Sequence, residues 1–381
     1  MHFVFKGENM KIVFVSNFLN HHQIPFCKYL KSLVDEFWFI ATDNGNSQGY
    51  QTSHHDNYLI DYFTEKTRAE KEILSADAVI FGACPDKLVT LRMKEDKLSF
   101  IYSERIFKKG ILRCLIPKNF IYLKNRYLRY KTKNLYVLAA SAFLPYDLSI
   151  FGFPQNKIFK WGYFPSCSAH KTQEKEQNTI LYVGRLLKLK HADTVIKTAQ
   201  FLKQEGVDFK VNIVGDGPEK DNLLKAVHAY KLQDHVHFLG SKTHTEVLKI
   251  MNKSQIYMFT SDFNEGWGAV LNEAMASGCA IVASSAIGSV PFLINHGENG
   301  LIYKYGNYKN AYNEVKSLLC DTQKAKFLGE NAKATIAYYN HEIAAERFVN
   351  AVKEFHSVNT ITSSDSGIFS SVKIIKNNWF K

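Results

Sequence analysis

Two carboxylates with seven residues between them, Glu265 and Glu273, bracket a glycine-punctuated run, Phe263-Asn-Glu-Gly-Trp-Gly-Ala-Val-Leu-Asn-Glu-Ala-Met-Ala-Ser-Gly278. Glu265-Gly266 and Gly268 break the periodicity, and Val270, Leu271, Ala274 and Met275 then recur at helical spacing. The stretch therefore predicts a loop running into a short helix that begins near Gly268. The first N–H groups of such a helix, those of Ala269 and Val270, lack intrahelical partners and sit at the positive end of the helix dipole, which suits a phosphate. Gly266 and Gly268, on either side of Trp267, let that phosphate come close. An acid beside bound phosphate is costly unless it touches something else, and sugar hydroxyls are natural partners. The combination suits a nucleotide sugar; the alternative is a solvated loop acid and a surface helix acid beside an ordinary cap.

A diphosphate also needs cations. Gly184-Arg185-Leu-Leu-Lys-Leu-Lys190-His191 follows an apolar run, so Arg185 and Lys190 stand in a loop at a strand end. There they can neutralise a diphosphate and later the charge of a leaving group. Val214-Gly215-Asp-Gly217-Pro218 reads as a strand, a tight turn and a new helix. Its glycines either let backbone approach a flat base or ribose, or serve a plain turn.

The elements that hold these residues follow from the apolar pattern. A chain of 381 residues, 46% hydrophobic, favours two domains over one. Short apolar runs at Lys11–Ser16, Phe37–Thr42, Ala78–Gly82, Ser99–Tyr102 and Tyr136–Ala140 alternate with helix-like segments and predict a first α/β domain over residues 1–165. Residues 166–178 turn small and polar, as a linker does. A second series at Thr179–Val183, Phe209–Val214, His235–Leu239, Ile256–Thr260 and Ala280–Ala283 predicts another α/β domain over residues 179–340. Alternation of this kind gives parallel sheets covered on both faces, which bind ligands at the carboxyl ends of their strands. Residues 341–357 carry Ile343, Phe348, Val352 and Phe355 at helical spacing, and residues 358–381 read as a mobile basic tail.

In the first domain the strand-end rule selects two places. Asn17-Phe-Leu-Asn20-His21-His22-Gln23 lacks the Gly-x-Gly-x-x-Gly fingerprint, which disfavours NAD. Its Asn20, His21 and His22 either cap a helix or line the cleft on the acceptor side and contact the acceptor or the donor phosphates. Glu104, after the strand ending at Tyr102, is either a helix cap or a site acid.

The formal net charge is +12, and residues 1–166 hold 23 Lys and Arg against 15 Asp and Glu. No acid occurs between Glu104 and Asp147, while ten cations from Arg105 to Lys133 interleave with Phe107, Ile111, Leu112, Leu115, Ile116, Phe120, Ile121, Tyr122, Tyr127 and Tyr130. Such a stretch docks on anionic lipid headgroups, at about 1 kcal/mol per cation near the surface. Nucleic acid ranks second, since no nucleic-acid motif accompanies the charge, and a solvated helix face is the plain alternative. The six cysteines are scattered without metal-like spacing, which fits a reducing cytosol. No window reaches the roughly 18 apolar residues of a membrane span, the first apolar run is too short for a signal peptide, and the residues before Met10 read as a dispensable extension.

Gly184-Arg185-Leu186 with Lys190, Val214 to Pro218, Phe238-Leu239-Gly240, and Glu265-Gly266-Trp267-Gly268 through Glu273 to Gly278 resemble the ordered motifs of the family-four retaining glycosyltransferases with the GT-B fold. In the first domain, Asn20-His21-His22-Gln23-Ile24-Pro25-Phe26 and Ser103-Glu104-Arg105 resemble a bacterial branch that builds capsule, exopolysaccharide or lipopolysaccharide. The resemblance implies two Rossmann-like domains facing each other across a cleft, with the last helix crossing back to the first. It implies that Arg185 and Lys190 bind the diphosphate of a UDP- or GDP-sugar, Glu273 the ribose, Glu265 the transferred sugar, and the amides after Gly268 the distal phosphate. It further implies transfer with retention through a front-face, oxocarbenium-like transition state, with no obligatory metal and no cofactor. Three departures stand out. His191 occupies a place where the family often has glycine, the first-strand turn lacks a glycine pair, and Glu104 falls where several relatives have histidine.

The expected protein is a hexosyltransferase working at the inner face of a membrane on a lipid-linked or oligosaccharide acceptor. A non-catalytic sugar-nucleotide or membrane-surface binding protein and a sugar-nucleotide epimerase are the alternatives.

Overall fold

The computed structural model describes residues 9–43, 57–108, 110–166 and 174–381. Most of the extension expected before Met10, Lys109 and most of the expected linker lie outside them. The chain forms two compact units, one of Met1–Ser166 with Asn340–Ile374 and one of Cys167–Tyr339 with Ile375–Lys381.

The first unit is built on seven parallel strands: β1 (Lys11–Ser16), β2 (Glu36–Ala41), β3 (Leu59–Asp61), β4 (Ala78–Phe81), β5 (Ser99–Ser103), β6 (Leu135–Ala139) and β7 (Ile158–Lys160). Their order across the sheet is β3-β2-β1-β4-β5-β6-β7. The second unit holds six: β8 (Glu176–Val183), β9 (Lys210–Val214), β10 (Val236–Gly240), β11 (Ser254–Phe259), β12 (Ala280–Ser284) and β13 (Leu301–Tyr303), in the order β10-β9-β8-β11-β12-β13. Central strands such as β4 and β11 are buried throughout, because helices cover both faces and leave no side for a polar residue.

In each unit the chain lays down three strands toward one edge and then returns to the other side of the first. In the first unit β4 joins β1, with Val13 opposite Val79; in the second β11 joins β8, with Ile256 opposite Ile180. Loops leaving these adjacent strands diverge to opposite faces of the sheet and open a crevice at their carboxyl ends. This places Gly184–His191, after β8, beside Thr260–Gly268, after β11.

Three strands have no expectation in the apolar pattern, and each is three residues long: Leu59–Asp61, Ile158–Lys160 and Leu301–Tyr303. They lie at sheet edges, where three residues are too few to show a period of two. The strand expected from Thr179 begins at Glu176, so the last residues assigned to the linker belong to the second sheet.

Helix His341–Val358 packs in the first unit. Asn340 caps it by accepting from Ile343 N, and Tyr29 of helix Ile24–Leu33 donates to Glu346 at 3.0 Å. The residues after it are not a loose tail. Phe369 N donates to the Lys160 carbonyl at 2.7 Å and Lys160 N to the Ser370 carbonyl at 2.9 Å, extending the β7 edge. Phe369 is buried and stacks on Phe159 with centroids 4.4 Å apart. The last residues pack on the second unit, where Trp379 Nε1 donates to the Ser285 carbonyl at 2.9 Å. The apolar residues Ile361, Ile368, Phe369 and Val372, spread among serines, are what the polar composition hid. Among the described residues no helix is long and apolar enough to cross a membrane.

Candidate active site

The loops after β8 and β11 are stitched together by backbone before any side chain matters. Asp262 N donates to the Leu189 carbonyl at 2.9 Å, and Thr260 Oγ1 to the Lys190 carbonyl at 2.7 Å. Lys190 is thereby aimed at Glu265. Its Nζ donates to Glu265 Oε2, which also accepts from Ser261 Oγ at 3.1 Å. The Lys190 and Glu265 side chains are 18% and 13% exposed, so the pair is shielded yet reachable from solvent. Because Oε2 takes both donors, Oε1 is left for a hydroxyl.

The residue after this lysine takes a backbone conformation that favours glycine. His191 has φ 47° and ψ 46°, a left-handed conformation that costs a side chain about 1–2 kcal/mol. Its ring offsets that cost. Nδ1 lies 3.4 Å from Asp193, and Nε2 lies 3.6 Å from Asp262 and 3.2 Å from the Tyr305 hydroxyl. The hydrogen bond to Asp193 raises the imidazole's pKa above its ordinary value.

Arg185 is exposed, with no ion pair among the described residues. Its loop is anchored by buried Leu186, whose N–H donates to the Asp216 carbonyl at 2.8 Å. This packing explains the glycines after β9. A Cβ on Gly215 would stand 2.0 Å from the Gly184 carbonyl oxygen, and one on Gly217 2.6 Å from that of Leu186. Of the two readings of Val214–Pro218, the contact of one loop with the other suffices to require both glycines.

Helix Val270–Ala276 follows, with Ala269 at its N-cap position, so it starts two residues later than expected. Glu273 is buried, and its Oε1 lies 3.1 Å from His244 Nε2. Burial raises its pKa, opposed by the imidazole. Trp267 departs from expectation. Its ring is fully buried, stacks on Tyr339 with centroids 5.7 Å apart, and donates through Nε1 to Asn272 at 2.9 Å. The indole anchors the loop and presents no face to a ligand, which leaves the backbone of Gly266, Gly268, Ala269 and Val270 as the expected contacts of this loop.

In the first unit, Tyr163 joins two of the expected residues. Its hydroxyl donates to Glu104 Oε1 at 2.7 Å and its ring stacks on His22 at 4.2 Å. Burial, with His21 alongside, pushes the His22 imidazole down to about 3, so it is neutral at physiological pH. Glu104 also accepts from Lys108 at 2.6 Å. Asn20 shapes the turn, its N–H and Nδ2 reaching Gln23 Oε1 at 3.1 and 3.2 Å, and His21 is exposed. The neighbouring Arg105 is no surface cation. It is buried, bonded to Asp147 at 3.1 Å.

Reading the sequence missed His244, Ser261 and Tyr163. For His244 a signal exists: Thr243 and Glu246 form a capping box, which fixes His244 as the first residue of a helix. Nothing local marks the other two.

Residues 168–335 match the family of glycosyl transferases group 1. The chain is 28% identical over 162 residues to the N-acetyl-alpha-D-glucosaminyl L-malate synthase of Bacillus anthracis, covering 42% of this chain and 41% of that protein. It is 32% identical over 154 residues to an N-acetylgalactosaminyltransferase of Campylobacter jejuni whose name places its acceptor on diphospho-undecaprenol, covering 40% of each. The matches thus span about two-fifths of these relatives. Among solved structures, Anabaena HepE in complex with UDP aligns with a TM-score of 0.70 at 16% identity, covering 91% of this chain and 100% of that one. The fold, two parallel α/β units, is that of the GT-B glycosyltransferases.

Proposed function

We propose that this chain, whose residues 168–335 belong to the glycosyl transferases group 1 family, transfers a sugar from a nucleotide-sugar donor with retention of configuration. The observation that carries the reading is the Lys190–Glu265 pair, held by Thr260 and Ser261 where β8 and β11 adjoin. A lone acid there would repel a diphosphate; an acid already bonded to a cation is free to address carbohydrate through its second oxygen. In the proposed complex Arg185, Lys190 and the Ala269 and Val270 amides face the diphosphate. Glu265 Oε1 takes a hydroxyl of the sugar, and Glu273, through the oxygen not facing His244, the ribose. The donor's base, UDP or GDP, is left to experiment.

Chemically, the bond from the anomeric carbon to the phosphate oxygen breaks, and the acceptor hydroxyl attacks from the same face. The departing phosphate oxygen receives the acceptor's proton. The cations meet the charge that develops on the leaving group, where fixed positive groups act most strongly on the transition state. No metal or cofactor is required by this scheme. The acceptor is a lipid-linked or surface oligosaccharide, in keeping with the name of the Campylobacter relative, and Asn20, His21, His22 and Glu104 are its proposed contacts. Residues 105–133 are proposed to meet the anionic inner face of a membrane.

The test is a donor panel by thermal shift, then turnover with the stabilising donor in the presence of a chelator and product configuration by NMR. A single strong stabiliser, chelator-resistant transfer and a retained anomeric centre are expected. Binding without turnover would leave a non-catalytic binding protein, and an isomerised donor released without acceptor would identify an epimerase.

A further inference from the structure

The segment Ile111–Lys124 of the first unit reverses the usual arrangement of a surface helix. Helix Pro117–Arg126 turns Leu123 and Arg126 inward. The buried guanidinium is bonded there to the Gly82 carbonyl, to the Cys84 carbonyl at 3.1 Å and to Asp86 at 2.9 Å. Its outer face carries Phe120 and Ile121, the latter 55% exposed, and the preceding turn Ile111–Leu115 leaves Leu112 and Leu115 each 76% exposed. Ile116 is exposed between them. Water gains nothing from this arrangement, since each of these side chains would be more stable out of it. A cluster of exposed large apolar side chains on an otherwise well-packed unit marks an interaction surface.

The charge around it narrows the occupant. Arg113, Lys118 and Lys124 are exposed on the same segment, with no ion pair among the described residues, and no acid occurs between Glu104 and Asp147. Apolar and cationic side chains are interleaved and do not separate into a core and a rim. Arg113 stands between Leu112 and Leu115, and Lys118 and Lys124 flank Phe120 and Ile121. A layered medium satisfies both kinds at one site, hydrocarbon for the apolar groups and phosphate for the flexible cations above them.

We propose that Ile111–Lys124 lies in the plane of an anionic bilayer, with Leu112, Leu115, Ile116, Phe120 and Ile121 seated below the headgroups. This deepens the membrane reading above and changes its physics. Arg105 and Arg126 are buried in ion pairs, and Lys133 donates to the Met93 carbonyl at 2.8 Å, so three of the cations in 105–133 are spent inside the protein. The remaining charge attracts the protein to the surface, and apolar insertion retains it there.

Sedimentation with vesicles of phosphatidylcholine, and of phosphatidylcholine with 30% phosphatidylglycerol (about a third anionic lipid, the regime in which surface charge attracts basic segments), tests this on the full chain without any substrate. The result therefore stands apart from whether sugar transfer is right. Expected is binding to the anionic vesicles that weakens but persists in high salt. Leu112→Ser/Leu115→Ser/Ile121→Ser should reduce it about 1,000-fold or more at either salt, because each exposed side chain removed from hydrocarbon is worth about tenfold or more. Arg113→Gln/Lys118→Gln/Lys124→Gln should reduce it mainly at low salt. All these positions face solvent, and circular dichroism checks that the variants fold. A tryptophan placed by Ile121→Trp should shift its emission to the blue on anionic vesicles only. Wild-type protein that stays in the supernatant, a serine variant that sediments like wild type, or binding abolished by salt alone would overturn the proposal. An acidic protein partner would give the first of these results.

Discussion

Replacing Lys190 by methionine separates a structural ion pair from a donor-binding one. Opposite charges about 4 Å apart at an effective dielectric near 20 attract by about 4 kcal/mol before desolvation is charged against them. Breaking a fully buried pair costs about 3–5 kcal/mol, because the remaining charge is stranded. Here the side chains keep 18% and 13% of their exposure and Ser261 still bonds the carboxylate, so Lys190→Met should cost about 2–3 kcal/mol. In Lys190→Met/Glu265→Gln the stranded charge is gone, and the loss should fall short of the sum of the single losses by about 1–2 kcal/mol. Donor binding should behave differently. A nucleotide sugar at one hundred times its Kd stabilises the wild type by about 2.7 kcal/mol. Loss of one charge-assisted contact to phosphate, about 1.5–3 kcal/mol, weakens binding roughly 10- to 100-fold and cuts that stabilisation to about 0.4–1.4 kcal/mol. The assay is thermal unfolding with and without the stabilising donor. If the double variant regains its fold and keeps the full donor-induced shift, Lys190 is only a strut and the assignment of the diphosphate fails.

Two other perturbations follow from the geometry. Gly268 has φ 77°, and a Cβ there would stand 2.3 Å from Phe259 Cζ, whereas Gly278, at φ 71°, has no neighbouring atom nearer than 3.9 Å. Gly268→Ala should therefore cost about 2–5 kcal/mol in conformation and overpacking, and Gly278→Ala about 1–2 kcal/mol, by denaturant unfolding; equal losses would mean that the Phe259 contact yields easily. Burial raises the pKa of Glu273, so its contribution to stability is greatest below the ordinary carboxylate pKa and is lost as pH rises through the folded value. Glu273→Gln should accordingly melt higher than wild type at neutral pH, melt alike in acid, and lose nucleotide-induced stabilisation. A variant that melts lower at pH 7 would show that the His244 contact outweighs the burial.

How much of this was legible before folding can be judged from particular residues. The alternation of apolar runs located every strand longer than three residues, since a strand buried on both faces must be apolar along its length. The glycines and paired acids between Phe263 and Gly278 located the loop and its helix within two residues. Lys190 and Glu265 stood out by type, yet they lie 75 residues apart, and no local pattern states that β11 returns to the side of β8. Trp267 read as a site residue because it sits among site residues; only its neighbours Tyr339 and Asn272 reveal that it faces inward.

The basic stretch from Arg105 to Lys133 makes the same division plainly. Its composition specified a stretch of one sign interleaved with apolar residues, because charge and hydrophobicity belong to residues and survive any fold. Which cations remain in water was decided elsewhere in the chain, by Asp147 for Arg105 and by Asp86 for Arg126, and so was the outward turn of Leu112, Phe120 and Ile121. The sequence by itself determined two parallel α/β units and the chemical groups of the candidate site. The tertiary structure alone decided which of those groups meet, because burial and partnership depend on strands and helices that are neighbours in space while being distant along the chain.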